Sequence, residues 1–253
     1  MTTRAILDGI DAIVFDAVGT LIHPLPSVAD VYTATALRRG VVLDRDEVKA
    51  RFGRHFRDDE ADERRGPLAT DEPTERRRWR RIVADVLPEL PDPDEAFGEL
   101  WDHFGRSTAW RPYSDVGPAL LALRAAGMPM RIASNFDARL RGVVGGMPEV
   151  ACVAAPLVIS SEIGYRKPHP AFYHAACASL GFPPERVLYV GDDPENDVRG
   201  AGRAGLRGLL LDRDGDGPGD LPHLPDLTSL VASLHVLRGL RAPGLVEPAP
   251  GRR

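Results

Sequence analysis

Ile13-Val14-Phe15-Asp16-Ala17-Val18-Gly19-Thr20-Leu21 carries one carboxylate out of a short apolar run rich in β-branched residues, then breaks at a glycine followed by a hydroxyl. That order predicts a buried strand that presents Asp16 into a cleft at its C-terminal end. A carboxylate so placed can act as a nucleophile, as a metal ligand, or as both. Two residues on, where a second acid would complete such a site, stands Val18.

Downstream of this strand, residues 17–26 read as a turn-rich exit with two prolines, followed by a long helical stretch without strand signal. Ser27 caps a helix running to Gly40, and Asp44 with Glu47 makes a capping-box pattern before Val48, Phe52 and Phe56. Residues 57–78 are dense in charge and contain Gly66-Pro67, which predicts a loop or a solvated helix end. Trp79, Ile82, Val83, Val86 and Leu87 then recur at helical spacing, as do Phe97, Leu100, Trp101 and Phe104. These aromatics read as the core of a small helical domain rather than as a cofactor box. The arginine runs 51–57 and 76–81 read as solvated faces of the same domain.

After Arg111-Pro112 the pattern changes to alternation. Helices are expected over residues 114–127, 137–144, 170–180 and 196–205, and strands over 130–134, 157–160, 187–190 and 208–211. Parallel strands need a crossover between them, so alternation predicts a parallel sheet wrapped by helices. The expected fold class is α/β: a Rossmann-like core from residues 1–24 and 112–240, with an all-helical cap, residues 25–111, inserted directly after the strand that carries Asp16. One further helix is expected near residues 227–237, and the Pro/Gly-rich residues 241–253 are expected to be disordered.

Composition narrows the function classes. The 253 residues carry 32 basic and 37 acidic side chains, a net charge of −5, with no basic stripe interleaved with aromatics, so nucleic acid is not an expected partner. The first apolar run is interrupted by Asp16 and is too short for a signal segment or a membrane span. Two cysteines in a chain of this size read as free thiols, which suits a cytoplasmic protein. All but two of the 32 basic side chains are arginine, so Lys49 and Lys167 stand out. A lysine kept in an arginine-rich chain suits a position that needs a compact ammonium.

The ends of the expected strands collect the chemistry. Asp16 ends the first; Ser134-Asn135 ends the one at 130–134; Gly164-Tyr165-Arg166-Lys167-Pro168 follows the one near Ile159; Gly191-Asp192-Asp193, with Asn196-Asp197 beyond, follows the one at 187–190. A nucleophilic carboxylate, a hydroxyl, an ammonium and an acid cluster at one sheet edge are what phosphoryl transfer with a hard cation requires. Oxygen-only ligands suit Mg²⁺.

These four segments, in this order, resemble the haloacid dehalogenase superfamily of hydrolases, in the subclass whose helical cap follows the first motif. The resemblance covers roughly residues 10–235. It implies that Asp16 is the nucleophile that takes the phosphoryl group and that Ser134 and Lys167 hold the transferred group. It implies that Thr20 orients the loop and that Asn135 hydrogen-bonds near the phosphoryl oxygens. Asp16, Asp192, Asp197 and the Val18 backbone carbonyl would hold the metal, with Asp193 a weaker candidate ligand. The substrate would be a small anionic molecule, phosphorylated in the simplest case.

Val18 departs from the pattern. Family phosphatases carry aspartate there, which protonates the leaving oxygen and then activates water. Such acid–base help contributes roughly 10²–10⁴-fold, so its loss matters least for a leaving group that needs no proton. Two relatives also lack it. The 2-haloacid dehalogenases carry Asp-Ala-Tyr-Gly-Thr but use no metal, and an acid cluster like Asp192, Asp193 and Asp197 repels a carboxylate substrate. Phosphonatases carry Asp-Ala-Ala-Gly-Thr and use a cap lysine, whereas Lys49, the sole lysine of the expected cap, sits in a stretch that reads as an exposed helix. A capped fold that binds metal, anion or partner without turnover is the alternative of a different class.

Overall fold

The computed structural model describes residues 2–153 and 156–238; the expected disorder of residues 241–253 lies outside the described residues. Eight strands follow in chain order: β1 (Ala12–Phe15), β2 (Ile22–Pro24), β3 (Trp110–Pro112), β4 (Met130–Ser134), β5 (Val158–Ile159), β6 (Val187–Gly191), β7 (Arg207–Leu211) and β8 (His223–Leu224). Six of them form one sheet in the order β5-β4-β1-β6-β7-β8, with every neighbouring pair parallel. The α/β class with helices on the sheet is thus present.

β1 lies in the middle because its sequence suits burial on both faces. Its four residues are all fully buried. Ile13 and Phe15 pack into one hydrophobic cluster, while Ala12 and Val14 pack into the other, the two-residue alternation of a strand sandwiched between layers. The chain runs outward from β1 through β4 to β5, then returns to the other side of β1 for β6, β7 and β8. That reversal puts a crevice beyond the carboxyl end of β1, where open parallel sheets bind ligands.

β2 and β3 pair antiparallel, Ile22 opposite Pro112 and Pro24 opposite Trp110, and form the two-stranded neck between core and cap. Residues 17–26 therefore contain a strand where only turns were expected; three residues with a proline leave little strand signal. β8 is another short strand absent from the sequence reading.

Between the neck strands lie four helices, Val28–Arg38, Arg45–Arg65, Glu72–Val86 and Pro93–Phe104, with a hydrophobic cluster of their own. Ser27 and Asp30 form the capping box of the first: the Ser27 hydroxyl accepts from the Asp30 amide at 3.2 Å, and the Asp30 carboxylate accepts from the Ser27 amide at 3.3 Å. Asp71 caps the third through the Thr74 amide at 2.7 Å.

Residues 57–65 correct one expectation. They continue the Arg45–Arg65 helix and the following helix starts at Glu72, so the expected loop shrinks to residues 66–71 around Gly66-Pro67. Part of the charge there turns inward, while Arg57, Asp58 and Arg65 stay exposed. Asp59, Glu60, Glu75 and Arg78 are all buried, Arg78 pairing with Asp59 and, at 2.8 Å, with Glu60. The arginine run 76–81 is therefore not wholly a solvated face: Arg78 is only 5% exposed.

The cap is docked on the core by main-chain bonds. The Thr70 amide donates to the Gly164 carbonyl at 3.0 Å, and the Arg166 amide donates to the Leu68 carbonyl at 2.9 Å. Glu72 accepts from the Ala138 amide at 2.8 Å and from the Ser161 hydroxyl. No helix among the described residues is long and apolar enough to cross a membrane.

Candidate active site

Asp16 follows directly on β1 and is 6% exposed. Its amide donates to the Val190 carbonyl at 2.9 Å, which ties the end of β1 to β6. The turn that follows depends on Gly19, whose φ of +86° favours glycine and whose place allows no side chain. A Cβ there would lie 2.2 Å from Asp192 Oδ2, so the glycine is what lets the Asp192 carboxylate settle over the turn. The buried Thr20 hydroxyl donates to Asp192 Oδ1 at 2.9 Å and fixes that carboxylate. Arg213 in turn donates to the Thr20 carbonyl at 2.9 Å.

Lys167 is 4% exposed. Its Nζ donates to Asp16 Oδ1 at 2.8 Å and to Asp197 Oδ1 at 2.6 Å. Asn135, just past β4, holds the Lys167 main chain at both faces. Its Oδ1 accepts from the Lys167 amide at 2.8 Å, and its Nδ2 donates to the Lys167 carbonyl at 3.3 Å. The Asn135 amide thus positions the lysine. Ser134 is 2% exposed and lines the same cavity as Asp16 and Lys167.

On the far side of Asp16, Asp197 is fully buried and its Oδ2 accepts from the Asp193 amide at 2.9 Å. Gly191 permits this approach, because a Cβ there would lie 2.0 Å from Asp197 Oδ2. Asp193 is used differently from its neighbours. Its Oδ1 accepts from the Glu195 and Asn196 amides at 2.8 and 2.7 Å, capping the Pro194–Arg199 turn. Among the described residues, the acids that gather oxygens within 4.8 Å of one another are Asp16, Asp192 and Asp197, without Asp193.

Electrostatics in this cluster are unbalanced. Burial would lower the Lys167 ammonium, yet Asp16 and Asp197 raise it well above its usual value, so it stays charged. Asp192 opens onto the cleft, but the protein around it and the adjacent Asp16 push its carboxyl up to about 7. Burial, with Asp16 and Asp192 nearby, also raises Asp197 well above the carboxylate range despite Lys167. One ammonium thus serves three carboxylates. The excess charge calls for protons or for a cation, and an all-oxygen donor set with water access fits a hard divalent one.

Val18 lines the cavity beside Asp16 and packs against the main hydrophobic cluster. Lys49 is exposed on its cap helix, away from these groups. His169 caps the Pro170–Leu180 helix, accepting from the Ala171 amide at 3.2 Å; His174 bonds the Ala204 carbonyl at 3.1 Å.

Comparison with known proteins fixes the family. A model of haloacid dehalogenase-like hydrolases matches residues 10–205. The chain belongs to that family. It is 33% identical over 150 residues to the phosphoserine phosphatase of Thermus thermophilus, covering 58% of this chain and 59% of that protein. It is 33% identical over 156 residues to the glyceraldehyde 3-phosphate phosphatase of Methanopyrus kandleri, covering 56% and 62%. The chain spans about three-fifths of the length of these curated relatives. The L-2-haloacid dehalogenase of Xanthobacter autotrophicus, solved with chloropropionic acid covalently bound, superposes with a TM-score of 0.68 at 20% identity, over 92% of this chain and all of that one. At that identity the likeness concerns the fold. As a family member, this chain is a hydrolase with phosphatases among its relatives.

Two features of the site were silent in the sequence. Arg166, next to Lys167, is buried at 3% and pairs across to Glu60 of the cap at 2.8 Å and Glu75 at 3.3 Å. Nothing marks it among so many arginines. The aromatics read as cap core do fill that core, but Phe52, Phe56, Trp79, Trp101 and Phe104 also wall the cavity above Asp16. Their helical spacing gave no sign of that second role.

Proposed function

We propose that this hydrolase is a Mg²⁺-dependent phosphohydrolase that works through an aspartyl-phosphate on Asp16 and is confined to substrates with good leaving groups. The observation that carries the reading is the convergence of Asp16, Asp192 and Asp197 within 4.8 Å around a single ammonium, with an apolar side chain, Val18, where a proton donor would act. Lys167 occupies Asp16 Oδ1, so Oδ2 attacks phosphorus. Lys167 and the Ser134 hydroxyl hold the oxygens of the transferred group, and Asn135 keeps Lys167 in place. Asp16, Asp192, Asp197 and the Val18 carbonyl would hold Mg²⁺, which when bound offsets the charge of the phosphoryl group.

Val18 affects both halves of the reaction. It cannot protonate a departing oxygen, so poor leaving groups such as alkoxides react slowly. It cannot activate water either, so Asp16–phosphate persists after the leaving group has gone. Acyl and aryl phosphates need no proton in the first half and are the substrates this site suits. The net negative charge of the acid trio, set against one lysine, disfavours a metal-free carboxylate substrate and with it dehalogenation.

Turnover of p-nitrophenyl phosphate and acetyl phosphate, with Mg²⁺ and with chelator, in wild type and Asp16→Asn, tests the reading. Mg²⁺-dependent release in wild type alone supports it. Equal rates in the two proteins on both substrates would end it.

A further inference from the structure

The cavity above Asp16 has a volume of about 330 Å³. It lies between the cap helices and the strand ends of the core, lined from both sides, where well-packed interiors leave few voids larger than a water molecule. A cavity of roughly 150 Å³ lined by apolar side chains accepts benzene. The one here is about twice that, enough for a phosphoryl group at Asp16 and an aromatic body behind it.

The walls define what that body is. Nine aromatics line the hollow, Phe52, Phe56, Trp79, Trp101, Phe104 and Trp110 among them, with Val18 beside the nucleophile. Phe52, Phe56, Trp79, Trp101 and Phe104 remain partly exposed although their helices are docked. Among the described residues, the arginines that reach the cavity are already paired. Arg139 grips Asp137 with two bonds of 2.7 Å and lies flat on Trp101, its Cζ 3.3 Å from the ring centre. Arg78 pairs with Asp59 and Glu60, and Arg166 pairs with Glu60 and Glu75. A second anionic group on the substrate would meet guanidinium groups whose charge is spent.

We infer that the cavity is the binding site for the leaving group and that this group is an uncharged, apolar aromatic alcohol, so the substrate is an aryl phosphomonoester. The inference deepens the phosphohydrolase reading and rests on it. It also accounts for Val18. In the first half-reaction Asp16 Oδ2 bonds to phosphorus and the phosphorus–aryloxide bond breaks. The electron pair leaves on the aryloxide oxygen, which takes a proton from water after release. Water then adds to phosphorus, the bond to Asp16 breaks, and inorganic phosphate leaves with the water proton passing to solvent. Neither half uses a side-chain proton from position 18. The substrate differs in kind from phosphoserine or glyceraldehyde 3-phosphate, on which the named relatives act and whose polar bodies these walls do not suit.

All three tryptophans of the chain, Trp79, Trp101 and Trp110, line the cavity, which gives a binding signal independent of turnover. Rates with acetyl, phenyl and 2-naphthyl phosphate in Mg²⁺ are measured beside fluorescence quenching by 2-naphthylmethylphosphonate, which cannot be hydrolysed. KM is expected to fall about tenfold from phenyl to 2-naphthyl phosphate, with little change in kcat, and quenching is expected to saturate. Val83→Phe, which narrows the cavity from the cap, should weaken phosphonate binding about tenfold; if that variant does not fold, the ligand series decides alone. Equal KM for the two aryl esters, or quenching that does not saturate, overturns the inference. Turnover of acetyl phosphate with neither aryl ester overturns it and leaves the phosphohydrolase reading standing. If none of the three is turned over, the phosphohydrolase reading fails, and the phosphonate titration still decides whether the cavity takes an aryl group.

Discussion

Position 18 decides how far the chemistry runs. Val18→Asp restores a proton donor and acceptor at hydrogen-bonding reach of the leaving oxygen, and hydrolysis of alkyl monoesters should rise at least tenfold, within the roughly 10²–10⁴-fold that general acid–base catalysis supplies. Steady-state rates on an alkyl and an aryl ester, compared in the folded variant, check this, and the gain should be larger for the alkyl ester. Asn135→Ala frees both ends of the Lys167 main chain, so kcat should fall more than KM rises; unchanged kcat would mean that the buried ion pairs to Asp16 and Asp197 suffice to hold the lysine. Asp16, Ser134 and Asp192 were legible because each stands at or just after a strand end. Lys167, past the Ser160–Ile163 helix, and Asp197, within Pro194–Arg199, were legible from the motifs that carry them. The work of Asn135 was not, since its partner lies 32 residues away. Nor was that of Arg166, whose carboxylate partner Glu60 is 106 residues distant. Asp193 shows the converse: it sits in the motif, but its oxygens are committed to a cap.

The Arg45–Arg65 and Glu72–Val86 helices gain their place through a buried ionic seam rather than through apolar contact alone. Arg166 at the core end of that seam faces Glu60 and Glu75, each within 3.3 Å. Removing it leaves Glu60 and Glu75 to share Arg78, at 2.8 and 3.8 Å, with more buried negative charge than cation, and breaking a buried pair costs about 3–5 kcal/mol. Arg166→Met should therefore lower the urea midpoint strongly, and adding Glu75→Gln to it should recover part of the loss. No recovery would show that Glu75 is neutralised by other means. β1, β4, β6 and β7 were readable as apolar runs of four or five residues, as was the Pro170–Leu180 helix between its proline and glycine. β5, expected over 157–160, is present but trimmed to Val158–Ile159, whereas β2, β3 and β8 run to two or three residues, too few for a period-two pattern to show. The helix through 57–65 was hidden because the rule that charge means solvent fails where each charge has a buried partner.

Core and cap together make a site that neither contains: the core supplies the acids and lysine, and the cap supplies the aromatic walls. The cavity could not be read from the sequence, since a void is a property of how side chains fail to fill space. The acid trio has a stability consequence for the whole chain. Asp192, held near 7 when folded, is a raised carboxyl, so its ionisation opposes folding, and without metal the protein should lose stability as pH rises from about 4 through 7. Asp192→Asn should accordingly raise the melting temperature in chelator. Mg²⁺ at 100 times its dissociation constant should stabilise wild type by about 2.7 kcal/mol, and the Asn variant by much less. The most direct test of the account is a rapid-quench experiment with 2-naphthyl phosphate and Mg²⁺, following naphthol release and the mass of the intact chain. The account predicts a burst of about one naphthol per protein and a phosphoryl adduct that Asp16→Asn lacks and Val18→Asp clears. Linear release with no burst and no adduct, in protein that turns the substrate over, would contradict it.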